Sequence, residues 1–291
     1  MLKSVDESPV SPVLVNGVFK SSISVFDRGF MYGDGLFETI RVVNGDPLLW
    51  DYHIKRLQFG CKKLHIPVDF NFCDRLRDGL TRVVNEANRN SSNCVVKIVI
   101  TRGAGGRGYL PPPEVRPTEV ILCYPAPEYP ESYSVNGIAM CTCQHRLSEN
   151  GALAGLKHLN RLDQVLASAE LDETVSEGLM LDQQGYVVEG TKSNILFFED
   201  GGIVSPDTRL SGVDGIARQY IFDHAATLGL RTRIGKIMPT AIASFKGMAI
   251  TNSILGIWPV NKLDGISLPI NSSVYDIQRM LIEQLKYEYK V

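Results

Sequence analysis

Between Gly178 and Ser205 the chain passes through four apolar segments separated only by turn-length gaps: Gly178 to Asp182, Tyr186 to Gly190, Asn194 to Glu199 and Gly202 to Ser205. No gap is long enough for a helical crossover, so neighbouring segments must pair as antiparallel strands through tight turns. This stretch commits the C-terminal half to a hairpin-built sheet. Earlier in the chain, helices and strands alternate. Gly35 to Val43 predicts a strand, closed by the turn Asn44-Gly45-Asp46-Pro47. Trp50, Ile54, Leu57, Cys61 and Leu64 recur at helical spacing and predict a helix from Asp51 to Leu64. Further helices are expected over Asn71 to Glu86, Asn160 to Asp172, Gly215 to Leu228 and Ser272 to Tyr287. Further strands are expected over Cys94 to Thr101, Thr118 to Tyr124, Tyr133 to Cys143, Met248 to Thr251 and Ile257 to Val260.

The proline-rich run from Pro125 to Pro130 predicts a linker. The expected division is an N-terminal α/β domain over 1–124, a linker over 125–133 and a C-terminal α/β domain over 134–291. Two α/β domains meeting across a cleft fit this pattern, and such clefts are common ligand sites.

Composition narrows the function classes. A net charge of −2 and the lack of a long basic run argue against nucleic acid or an anionic membrane surface as partner. The opening residues Met1 to Glu7 lack the apolar run of a signal peptide, and no apolar stretch is long enough to span a bilayer. Six cysteines without a CxxC pair predict reduced thiols in a cytoplasmic protein. The five histidines show no ligand-spaced pair, so no metal site is expected.

Lys157 lies among Gly155, Leu156 and Leu159, which is an apolar setting for a lysine. A lysine snorkelling at the start of a helix would account for it locally. A second polar cluster, Glu189-Gly190-Thr191-Lys192-Ser193-Asn194, follows between two apolar runs. A desolvated lysine suits Schiff-base chemistry, and a carboxylate in the same site suits a pyridine nitrogen. Together they point to pyridoxal phosphate.

Gly103-Ala104-Gly105-Gly106-Arg107-Gly108 matches GxGxxG after a strand, but Tyr109-Leu110-Pro111-Pro112-Pro113 cannot open the helix that a dinucleotide loop requires. A mobile loop carrying Arg107 toward a cleft is expected instead. Gly212 to Arg218 runs from a turn into a helix, which would put the Ile216 and Ala217 amides at an anion-binding N-terminus. An ordinary helix capped near Asp214 fits that segment equally well. Asn252 and Ser253 follow a buried-looking strand as possible donors or as turn formers, and Arg56 offers a bidentate phosphate contact.

Asp27-Arg28-Gly29-Phe30, Gly33-Asp34-Gly35, Phe37-Glu38-Thr39-Ile40-Arg41, His53 to Leu57, Lys157, Glu189 and Gly215-Ile216-Ala217-Arg218 together resemble the class IV (fold-type IV) pyridoxal-phosphate aminotransferase family, over nearly the whole chain. Within it, Thr101 to Tyr109 and Leu153 to Leu162 are most similar to the aminodeoxychorismate lyases. The resemblance implies a two-domain fold like that of D-amino-acid aminotransferase, the larger C-terminal domain holding a barrel-like sheet. It implies Lys157 as the cofactor-bonding and proton-moving residue and Glu189 as partner of the pyridine nitrogen. Arg56, Ile216, Ala217, Asn252 and Ser253 would hold the phosphate. Arg107, Asn160, Arg161 and Glu38 would lie on the substrate side. The implied reaction converts 4-amino-4-deoxychorismate to 4-aminobenzoate and pyruvate for folate synthesis, in a homodimer. Some lyases of the family carry threonine at the Glu38 position, and D-amino-acid aminotransferases carry tyrosine at the Phe37 position. The alternatives are a D-amino-acid or branched-chain aminotransferase and a non-catalytic binding protein.

Overall fold

Leu36, Ile40 and Val42 alternate along one strand and are buried on the same face, so a sheet with one face against helices follows from period-two patterning. The computed structural model describes residues 12–88 and 93–285. They form two compact units, one made of the residues up to Pro127 with Lys157–Asn160, the other of Glu128–Leu156 with the chain from Arg161 onward.

In the first unit, β1 (Val13–Val15) and β2 (Val18–Phe19) form a hairpin. Its Asn16-Gly17 turn has φ of 51° and 75°, the pair of positive values that a two-residue hairpin turn needs. Next come α1 (Arg28–Tyr32), β3 (Gly35–Val43), β4 (Asp46–Pro47), α2 (Trp50–Lys63), α3 (Phe72–Glu86), β5 (Cys94–Thr101) and β6 (Thr118–Pro125). The strand order is β2-β1-β6-β5-β3-β4, antiparallel at each pairing. Helix α2 packs on β3 and α3 on β6. Leu57, Leu76, Leu80, Ile98 and Ile100 are fully buried, each stabilising the fold by about 1.5–3 kcal/mol over an exposed side chain.

The second unit runs α4 (Ser132–Val135), β7 (Ile138–Arg146), α5 (Leu162–Ser168), β8 (Glu177–Leu181), β9 (Val187–Gly190), β10 (Asn194–Glu199), β11 (Gly202–Pro206), α6 (Ile216–His224), β12 (Arg231–Gly235), β13 (Gly247–Asn252), β14 (Gly256–Leu263), β15 (Ile266–Ser267) and α7 (Ser273–Leu285). Its sheet follows β12-β11-β10-β13-β14-β7-β8-β9. Strand β9 also pairs with β10, through Glu189 and Asn194. That pairing closes β10, β13, β14, β7, β8 and β9 into a six-stranded barrel, as the family resemblance implied. Leu179, Val187, Ile195, Phe197, Met248, Ile250 and Val260 belong to one buried cluster of this unit.

Three expectations change. Tyr133 lies in the short helix α4 rather than in a strand, and the strand expected there begins at Ile138 and continues to Arg146. The helix expected over Asn160 to Asp172 is confined to Leu162–Ser168, because Lys157–Asn160 runs as an extended segment beside β3. The helix expected from Gly215 ends at His224 and tightens into a 3-10 turn over Ala225–Leu228. Of the closing helix, Lys286 and Tyr287 lie outside the described residues. Among the described residues no helix is long and apolar enough to cross a membrane.

Candidate active site

Strand β3 places a carboxylate where its pattern calls for an apolar residue. Leu36, Glu38, Ile40 and Val42 share the buried face, and Glu38 is 1% exposed. The helix α2 that covers this face supplies its partners. His53 Nδ1 lies 2.6 Å from Glu38 Oε2, Arg56 Nε donates to Oε1 at 2.8 Å, and Arg56 Nη2 donates to Oε2 at 2.5 Å. Burial alone would raise the Glu38 pKa, but the Arg56 guanidinium and the His53 hydrogen bond outweigh it and hold the carboxyl at about 2. Burial lowers the His53 pKa against the pull of Glu38, and the Arg56 and Lys157 cations add to the lowering. A neutral imidazole donating from Nδ1 to an ionised Glu38 satisfies both shifts. The His53 Nε2 atom is buried without a hydrogen-bond partner.

Lys157 is held beside the same strand. Its carbonyl accepts from Phe37 N at 2.9 Å, Leu159 N donates to Gly35 O at 3.0 Å, and His158 bridges Leu36. The Lys157 Nζ atom sits 4.4 Å from the centre of the Phe37 ring, and Lys97 Nζ lies 5.1 Å from the same ring. Both distances are within cation–π range. Lys97 is not among the site residues expected from the sequence, because no second polar cluster or motif accompanies it in its strand.

In the second unit, Glu189 is buried and fixed by two donors. Val213 N reaches its Oε2 at 2.8 Å and Gln164 Nε2 its Oε1 at 3.1 Å. Burial lowers the Arg161 pKa, and the charges of Glu189 and Asp163 oppose that shift. Helix α6 begins at Ile216 with Gly215 as its N-cap, and no side chain caps it. Asp214, the expected cap, instead accepts from Thr208 Oγ1 at 2.5 Å and Arg218 Nη2 at 2.9 Å. A Cβ at Gly215 would collide with the Asn194 carboxamide, which itself donates to Val213 O. Only glycine permits that approach.

Arg107 is exposed on its loop. That loop is not free, because Gly105 N donates to Phe26 O and Arg28 donates to the carbonyls of Gly108 and Tyr109. No helix follows Gly108, in keeping with the rejection of a dinucleotide motif. The Asn160 side chain donates to Gly33 O at 3.1 Å. Asn252 closes a turn, accepting from Ile254 N and Leu255 N and donating to Lys192 O. Ser253 follows it in the same turn. Glu38, expected on the substrate side, has both oxygens engaged by His53 and Arg56.

The family model described as amino-transferase class IV matches residues 35–263. An aminodeoxychorismate lyase of Vibrio harveyi is 32% identical over 91% of this chain and 95% of its own length. A putative branched-chain-amino-acid aminotransferase of Methanocaldococcus jannaschii is 30% identical over 94% and 95% of the two chains. The crystal structure of 4-amino-4-deoxychorismate lyase from Pseudomonas aeruginosa superposes with a TM-score of 0.88 at 40% identity, covering 94% of this chain and 100% of that one. The match begins on β3 with its buried Glu38, continues through the Lys157 and Glu189 clusters and ends on the last barrel strand: the chain belongs to the class IV aminotransferase family.

Proposed function

We propose that this protein is a pyridoxal-phosphate-dependent 4-amino-4-deoxychorismate lyase, releasing 4-aminobenzoate and pyruvate. The observation that carries the reading is Lys157, whose amine lies over the Phe37 ring beside the buried Glu38–His53–Arg56 cluster. The lyase names of the Vibrio harveyi relative and the Pseudomonas aeruginosa structure support the choice of reaction. Phe37 adds to it, because the ring has no hydroxyl at the position where D-amino-acid aminotransferases carry a tyrosine.

The residues present suit the cofactor. The uncapped N-terminus of α6 suits a phosphate, received by the Ile216 and Ala217 amides. Arg56 adds a guanidinium oriented by Glu38, and Ser253 adds a hydroxyl. Glu189, oriented by Val213 and Gln164, suits a protonated pyridine nitrogen. Pyridoxal phosphate supplies an electron sink for the carbon that loses its proton. Lys157 takes that proton from the ring carbon bearing the amino group, enolpyruvate leaves from the neighbouring carbon, and the ring becomes aromatic. Arg107 meets a substrate carboxylate. Glu38 serves as the counter-ion that orients Arg56 rather than as a substrate contact.

The protein is read as a cytoplasmic homodimer. Phe26, Phe30, Tyr109 and Leu110 are each at least 70% exposed, an apolar surface that a second copy would cover. Light scattering should give twice the 32.2 kDa chain mass, and a monomer at micromolar concentration removes the dimer. Coupled to a synthase that makes 4-amino-4-deoxychorismate, the holoenzyme should release fluorescent 4-aminobenzoate. No product there, with rapid amino transfer from D-alanine or leucine to 2-oxoglutarate, overturns the lyase reading.

A further inference from the structure

Arg28 is 3% exposed, and each of its three guanidinium nitrogens donates a hydrogen bond. Its Nε donates to Asp34 Oδ2 at 2.9 Å, Nη1 to Gly108 O at 3.0 Å and Nη2 to Tyr109 O at 2.8 Å. The two carbonyls belong to the residues immediately after Arg107. The approach to Arg107 from the other side is pinned as well. Arg28 N donates to Gly103 O at 2.9 Å, Gly105 N donates to Phe26 O at 3.2 Å, and Asp27 bridges Ala104. Gly103 has φ +94°, and a Cβ there would run into the Arg116 carbonyl, so the loop enters along one backbone path.

Asp34 is itself anchored. Arg102 donates to it from Nε at 2.7 Å and from Nη2 at 2.9 Å, and also donates to Leu64 O and His65 O at the end of α2. Tyr109 packs edge-on against Tyr32, with ring centres 5.7 Å apart, and the Arg28 guanidinium lies 4.9 Å from the Tyr32 ring. A planar fork can serve one carboxylate and two carbonyls together, whereas a lysine ammonium is a point charge on a flexible stem.

We propose that Arg28, held by Asp34 and Arg102, is a positioning residue that sets where Arg107 presents its charge to the substrate carboxylate. This rests on the reading of Arg107 as a substrate contact. The hydrogen bonds of the Arg28 side chain reach none of the residues proposed to hold the cofactor, so the consequence falls on substrate capture. Arg28→Lys should raise KM for 4-amino-4-deoxychorismate about tenfold, since an ångström-scale displacement of a binding group can cost up to about a hundredfold. In that variant kcat should change by less than about twofold and the visible absorbance of the bound cofactor should be unchanged.

The test compares four holoenzymes: wild type, Arg28→Lys, Arg107→Ala and the double variant. If Arg28 acts through Arg107, Arg28→Lys adds less than about twofold to KM once Arg107 is gone. A full additional tenfold effect in the double variant overturns the proposal, as does an unchanged KM in Arg28→Lys beside a raised KM in Arg107→Ala. An unchanged KM in Arg107→Ala sinks the substrate reading of Arg107 instead. A second measurement is independent of activity: trypsin should cut after Arg107 about tenfold faster in the Arg28→Lys holoenzyme, and an equal rate overturns the proposal. Should Arg28→Lys fail to fold, Asp34→Asn keeps the side-chain shape, removes the charge that orients Arg28 and takes the same readouts.

Discussion

Lys157→Ala holoenzyme loses the visible absorbance of the lysine-bound cofactor, and its turnover falls by about ten-thousand-fold or more. On the proposed reading the Lys157 amine takes the proton from carbon, and neither Glu38 nor His53 is suited to replace it. Glu38 is held ionised by its partners, with a pKa of about 2, too weak a base for the task. His53 is committed to Glu38 through Nδ1 and fully buried. Neither of them can therefore substitute when the amine is removed. Spectra of the reconstituted variant and single-turnover formation of 4-aminobenzoate check this together. Turnover within about tenfold of wild type would place the base elsewhere.

The second large effect is on stability. Glu38→Ala leaves the Arg56 guanidinium and the His53 Nδ1–H facing an emptied buried position, and breaking a buried pair from one side costs about 3–5 kcal/mol. The thermal midpoint should fall by about 10 °C, taking roughly 2–4 °C per kcal/mol for a chain of this class. The pH dependence follows from the same carboxyl. An ordinary glutamate near 4.5 held here at about 2 corresponds to about 3 kcal/mol. Because the folded value is depressed, that stability is present above pH 4.5 and is lost as the pH falls toward 2. His53 is depressed too, so its contribution is lost as the pH falls below its ordinary 6.5. The midpoint difference between wild type and Glu38→Gln should be steady from about pH 7 to about pH 5 and shrink at lower pH. A difference that stays flat to about pH 3.5 would show that the Glu38 charge does not stabilise the fold.

The strands were legible where local pattern and turn chemistry agreed. The β3, β5 and β10 strands have the bounds that apolar runs and flanking turn residues predict. Helix α1, five residues long, is too short to show a helical period, and β2 is exposed on both faces. Tyr133 misled because an aromatic residue next to valine and serine reads as strand, although the segment makes only a single helical turn. The chemistry divides along similar lines. Lys157 stands out as a charge among apolar neighbours and Glu189 as the head of a polar cluster between two apolar runs. Arg28 does not, since its partners Gly108 and Tyr109 lie 80 and 81 residues away in sequence. Glu38 falls on the substrate side only through the family resemblance; a carboxylate in the buried register of an alternating strand instead calls for partners from the covering helix, and His53 and Arg56 stand there.

The segment Lys157–Asn160 belongs with the first unit although more than two dozen residues of the second precede it in the chain. During synthesis the companion segment of β3 is therefore made only after β6. Cutting the gene after Pro127 would not yield two complete pieces. The N-terminal fragment would lack the segment that lines β3, and the C-terminal fragment would carry Lys157 without Phe37, Glu38 or His53 around it. A discontinuous unit of this kind makes each fragment depend on the other for the surroundings of the Lys157 amine.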